Sequence, residues 1–228
     1  MKMMIAAMVL SGLSITYAGN LTIDNTRPFG EQDYLVNVLD VEGARIIGAP
    51  VRRNDDEKPE KEASVSRTVG QTFMLNYDYT LDSIVVRSAG EHDLSGISYP
   101  KLWVKIIDVD RSTQLYEDTF DFSGQKIEAG CYLTLTFQER LNLVRRKKYL
   151  MAFWFDNDND ETFLLARTQT DKSGTFSGGL YYESGQQPAM KPSQFGLEYP
   201  VRFEGNFSRD LCFGLVGNAE YETLGLIF

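Results

Sequence analysis

The chain has one histidine, two cysteines and seven prolines in 228 residues. Zinc sites draw their ligands mostly from Cys and His, and His92, Cys131 and Cys212 are too few and too scattered to build one. A Ser-His-Asp hydrolase would have to use His92, and no Gly-x-Ser-x-Gly nucleophile elbow accompanies it. No glycine-rich loop of the phosphate-cradling kind is present. Positive charge is also short: 23 Lys and Arg stand against 32 Asp and Glu, a net charge of −9. A nucleic-acid partner needs a basic face to neutralise phosphate, so none is expected. An anionic membrane surface repels such a chain.

One long apolar run does occur, at the start. Lys2 precedes Met3 to Ile15, and Thr16-Tyr17-Ala18 closes the run. Small residues at these closing positions suit signal peptidase, so residues 1–18 read as a signal peptide cleaved after Ala18. The run is short for a bilayer span, and no later run reaches spanning length. The expected protein, residues 19–228, is one exported domain, periplasmic or on the cell surface, without a transmembrane segment. Its composition, without Lys2, is 22 basic against 32 acidic residues.

Helical spacing is scarce and period-two alternation is common. In residues 131–138, Cys131, Leu133, Leu135 and Phe137 face one way and Tyr132, Thr134, Thr136 and Gln138 the other. That pattern predicts a half-buried strand with a solvated face. In 101–108, Leu102, Val104 and Ile106 alternate with Lys101, Trp103 and Lys105. Tyr149 to Phe155 is apolar on both faces, as in a central strand, so Trp154 is expected in the core. Further strands are expected over 33–39, 67–75, 80–88, 113–120, 162–168, 178–183, 209–216 and 221–228. Phe137 to Lys148 suits either a short helix or a strand edge. Turn signals such as Ser123-Gly124 and Glu128-Ala129-Gly130 separate the runs. Together these predict an all-β fold, an antiparallel sandwich or barrel. A transmembrane barrel ending at Phe228 is the rival, but Glu222 breaks its lipid face.

Two segments read as irregular. Residues 52–64 are almost wholly charged and read as a solvated loop. Residues 184–208 carry three prolines and read as a long crossover. Export permits a Cys131–Cys212 disulfide. Cys131 shares the parity of the core residues and Cys212 does not, which favours two free thiols.

Gln71-Thr72-Phe73, Leu81 to Val86 and Leu102 to Asp108 resemble a pattern found in exported bacterial β-sandwich proteins of the jelly-roll, galactose-binding-like group. Gly178 to Tyr182 and Asp210 to Leu215 resemble that group's closing strands. The resemblance covers residues 67–216 and departs at Leu224 to Phe228, where the group carries a sorting tail. It implies a jelly-roll sandwich and a carbohydrate-binding or adhesive module.

Three constellations are candidates for function. Asp156, Asp158 and Asp160 alternate with asparagines after an apolar strand, and their oxygens suit Ca²⁺. An EF-hand is excluded, because Glu161 stands where glycine is needed and Arg167 where a bidentate acid is needed. A polar turn is the plain alternative. Trp103 lies opposite the aliphatic face of its strand, so it is either a platform for a sugar ring or packed beneath a loop. Tyr181 and Tyr182 point to opposite faces, and the outward one, with Gln186 nearby, can bind a saccharide by stacking and hydrogen bonding. His92 reads as a surface loop residue, and no catalytic residues are assigned. The expected function is a non-catalytic binding module for a glycan or surface polymer. An adhesive protein with a protein partner is the alternative, and a glycoside-active enzyme the third.

Overall fold

The computed structural model describes residues 19–39, 45–48, 69–156, 163–167, 181–184, 203–206 and 210–220. Among them, in chain order, run β1 (Asn20–Asp24), β2 (Tyr34–Asn37), β3 (Arg45–Gly48), β4 (Val69–Met74) and β5 (Asp78–Arg87). Then follow β6 (His92–Asp93), β7 (Lys101–Asp108), β8 (Thr113–Asp121), β9 (Lys126–Ile127) and β10 (Tyr132–Leu143). The last are β11 (Lys148–Asp156), β12 (Leu164–Arg167), β13 (Tyr181–Ser184), β14 (Phe203–Asn206) and β15 (Phe213–Glu220). The described residues contain no α-helix.

Two antiparallel sheets carry the fold. One has the order β1-β10-β5-β15-β2 and the other β14-β13-β4-β11-β7-β8. Eight of these strands, β2, β4, β5, β7, β8, β10, β11 and β15, define the topology. Counted in chain order, they stand first-eighth-third-sixth in one sheet and second-seventh-fourth-fifth in the other. That is the jelly-roll order, so the chain is an all-β, antiparallel jelly-roll sandwich.

The alternation read from the sequence decides which faces meet. Leu102, Val104 and Ile106 of β7 and Phe73, Met151 and Phe153 of β4 and β11 pack in one cluster with Ile84, Val86, Leu133, Leu135 and Leu215 of the other sheet. Each such buried side chain contributes about 1.5–3 kcal/mol relative to exposure. Their partners in alternation face outward.

Several expectations are revised. The polar face of β10 is not solvated over its first half: Tyr132 and Thr134 are buried there. Tyr34, Leu39, Val85 and Tyr132 form a second small cluster on that face, with Phe29 packed against it. Residues 137–148 are strand and turn, not helix. The segment 184–208 contains β14, which pairs with β13, so it is not wholly a loop. Cys212 is buried despite its parity. Neither cysteine is in a disulfide. The reason lies in the register: Tyr132 of β10 pairs with Arg87 of β5, and Phe213 of β15 pairs with the adjacent Val86 from the opposite side. The two cysteines therefore lie about two strand spacings, roughly 10 Å, apart, beyond disulfide reach. The expected signal peptide (1–18), charged loop (52–64) and last strand (221–228) lie outside the described residues.

Candidate functional site

The described candidates Trp103, Asp156, Tyr181 and Tyr182 all lie on strands of the six-stranded sheet. With Leu102 and Val104 in the core, alternation turns Trp103 outward. With Phe153 and Phe155 in the core, Trp154 also turns outward, and it pairs directly with Trp103 across β11 and β7. Trp154 is thus not a core residue. Three consecutive large aromatics carry no in-or-out signal of their own; the cross-sheet neighbours of Phe153 and Phe155 set the parity. Both indoles are half-buried. The Trp103 Nε1–H is enclosed and has no hydrogen-bond partner among the described residues. Such a donor costs about 1–3 kcal/mol.

One row further along the same face lie Gly70, Ala152, Lys105 and Glu117. Lys105 is only 4% exposed, and its ammonium sits 3.2 Å from Glu117. A buried ammonium is tolerated only when paired, so Glu117 holds this charge in place. The next row, Thr72, Leu150 and Ile107, is fully buried. The tryptophan pair therefore stands at the open end of a face that is covered further along.

The other sequence candidates fall around it. Asp156 ends β11, paired with Lys101, two residues beyond Trp154. Asp158, Asp160 and Gln186 lie outside the described residues. Tyr181 pairs with Gln71 and Tyr182 with Gly70, so Tyr182 shares the row of Ala152 and Lys105. Three strand spacings separate β13 from β7, about 15 Å. Trp103 and Tyr182 therefore do not line one pocket, and the residues between them, Gly70, Ala152 and Lys105, are buried. No group of three metal-binding side chains is gathered among the described residues.

His92 is not a free surface residue. It is half-buried in β6, stacks on Phe163 at 4.5 Å between ring centroids, and accepts the Leu164 N–H at Nε2, 3.2 Å away. Burial holds its imidazole below the ordinary value. A ring nitrogen already accepting a backbone N–H is poorly placed to act as a general base. Beside it Asp93 bonds Lys126 at 2.8 Å, which with Ser95 lowers its carboxyl to about 2.

Two polar clusters were missed. Gln71 faces the core between Val69 and Phe73; its amide donates to Asp210 at 3.1 Å and accepts the Leu211 N–H at 2.9 Å. It pins the start of β15 to β4 across 139 residues of chain. Tyr116 donates to Asp118 at 2.6 Å, and burial and that carboxylate push its phenol above the usual range. A polar residue at an inward parity was the available signal for Gln71. Nothing in the sequence pointed to its partner.

No protein-family model matches the chain, and no curated protein matches it. Among solved structures, the chain is similar to the cysteine protease and lectin-like domains of Cwp84, a surface-layer-associated protein of Clostridium difficile. The identity is 11% and the TM-score 0.39, over 68% of this chain and 33% of that one. A second structure, a clostridial Cwp84 cysteine protease variant after propeptide cleavage, is 12% identical with a TM-score of 0.37, over 78% of this chain and 40% of that one. The chain spans two-fifths or less of the length of the proteins it matches.

Proposed function

We propose that the chain is an exported, non-catalytic binding module for a glycan or cell-surface polymer. Its contact surface is the outer face of the six-stranded sheet around Trp103. The observation supporting this reading is the cross-strand pair of half-exposed tryptophans, held on rigid strands beside the Lys105–Glu117 ion pair. Indole faces stack on the apolar face of a pyranose, and the exposed Glu117 carboxylate can accept hydrogen bonds from its hydroxyls. Tyr182, in register with Gly70, shares this face in the reading, whereas Tyr181, in register with the core-facing Gln71, takes the opposite face. In this reading Asp156, at the end of β11, supplies carboxylate oxygens to Ca²⁺ together with Asp158 and Asp160, which lie outside the described residues.

The test is a glycan array probed with the full chain, in calcium and in chelator. Trp103→Ala and Trp154→Ala are each expected to weaken binding about tenfold, equivalent to about 1.4 kcal/mol. Loss in chelator assigns calcium to the three aspartates. A blank array under both conditions overturns the glycan reading and turns the surface toward a protein partner.

A further inference from the structure

The opposite end of the sandwich carries a second surface. Three turns meet there: Leu75 to Tyr77 between β4 and β5, Val109 to Ser112 between β7 and β8, and Val144 to Lys147 between β10 and β11. The Arg146 N–H donates to Leu75 O at 2.9 Å, and the Val109 N–H to Lys148 O at 2.9 Å, so the turns form one stitched unit. This unit gathers five cations, Arg111, Arg145, Arg146, Lys147 and Lys148, in a chain whose net charge is −9.

Four carboxylates lie at this end: Glu220 stands opposite Asp78 in the register of β15 and β5, and the other three bond the turns. Asp78 accepts the Arg145 N–H at 2.6 Å, and Asp110 accepts the Lys148 N–H at 3.3 Å. Asp108, buried, accepts the Arg111 N–H at 3.1 Å and the Lys147 ammonium at 3.4 Å. The side chains of Arg146 and Lys148 are exposed and form no ion pair among the described residues. Tyr77 and Val144 beside them are 53% and 47% exposed. Arg146 also occupies a left-handed backbone conformation, φ 61°, where glycine or asparagine is the ordinary choice. The chain holds a cation at a position that disfavours it.

We infer that this end binds an acidic glycan, a polysaccharide bearing carboxylates, through Arg146 and Lys148 with Tyr77 against a sugar face. Two free cations suit a polymer with about one charge per sugar. They do not suit the one charge per about 1.7 Å of a duplex nucleic acid, which the acidic remainder of the chain would repel. The inference shares its ligand class with the proposed function but uses a different surface.

The experiment is biolayer interferometry of the full chain against polygalacturonate, with dextran and single-stranded DNA as controls. Binding to polygalacturonate alone is expected, weakened in about 0.5 M salt. The double variant Arg146→Gln with Lys148→Gln is expected to lose tenfold or more in affinity, and Lys126→Gln, an exposed lysine of neither surface, to lose none. No binding to polygalacturonate, equal binding by the double variant, or equal binding to DNA overturns the inference. If only Trp103→Ala loses binding, the inference fails while the proposed function stands. If the neutral-glycan array is blank while polygalacturonate binding depends on Arg146 and Lys148, the inference stands alone.

Discussion

Arg146 holds φ 61° in the turn between β10 and β11, with its N–H bonded to Leu75 O at 2.9 Å and its side chain in solvent. Arg146→Gly keeps that hydrogen bond and removes the Cβ that makes the conformation costly. The left-handed region costs a non-glycine residue about 1–2 kcal/mol. Glycine returns about 0.5–1 kcal/mol of that, because its unfolded chain is freer. The net expectation is a stabilisation of about 0.5–1 kcal/mol, or a rise in melting temperature of roughly 1–4 °C at this size. Arg146→Ala is the control. It removes the same charge but keeps the Cβ, so the difference between the two variants isolates the backbone contribution. Urea unfolding followed by the fluorescence of Trp103 and Trp154 gives both midpoints, since both indoles are half-buried in the fold. If the glycine variant is no more stable than the alanine variant, the backbone is unstrained there. The argument that a cation is held at this turn against its conformational preference then fails.

Two further outcomes are expected. Burial lowers the folded-state pKa of His92 below 6.5, so the unfolded chain takes up its proton first. That contribution to stability is complete above about pH 6.5 and is lost as pH falls toward the lowered folded value. His92→Phe keeps the ring stack on Phe163 and should flatten unfolding free energy between pH 7.5 and 5; an unchanged slope refutes this. Asp93 acts in a separate window, losing its contribution as pH falls from 3.8 toward about 2. Secondly, cleavage after Ala18 would turn the Gly19 nitrogen, 3.2 Å from Asp118, into an ammonium paired with that carboxylate. Gly19 is also where a Cβ would run into the Phe120 ring. Amino-terminal sequencing of the exported chain should begin at Gly19, and Asp118→Asn should cost about 0.5–1 kcal/mol. An exported chain that still begins at Met1 refutes the cleavage.

What the sequence disclosed was local. Alternation in β7 and β10 is visible in the residues themselves, and it assigns the core face of each strand correctly. The order of the sheets is not local. The jelly-roll pairing of β4 with β11 and of β5 with β15 joins segments tens of residues or more apart, so the resemblance supplied it and the periodicity did not. Short strands such as β3 and β14 are four residues each, too few to show a period. The same limit shaped the site. Trp103 could be placed outward because aliphatics flank it, whereas Trp154 could not, because phenylalanines flank it. The packing of Tyr132 in one cluster with Tyr34 is a contact across about a hundred residues. The Leu164 N–H that occupies His92 is 72 residues away. The run Arg145 to Lys148 is plain in the sequence. Its two free cations became visible only once Asp78, Asp108 and Asp110 were seen bonded to the turns.

The two surfaces are separated by the length of one strand, and this makes their roles separable. β11 begins at Lys148, at the cationic end, and reaches Trp154 six residues later, about 20 Å away along the sheet. Substitutions that far apart, with no shared partner, act additively on stability and on the binding of a small ligand. A long polymer that touches both surfaces of one molecule behaves otherwise, because the second contact forms at a high effective concentration once the first is made. Combining Trp103→Ala with Arg146→Gln and Lys148→Gln therefore distinguishes two arrangements. Additive losses in affinity for a long acidic glycan mean that each surface binds by itself. A loss from either change alone that nearly equals the loss from all three means that one polymer spans the strand from end to end.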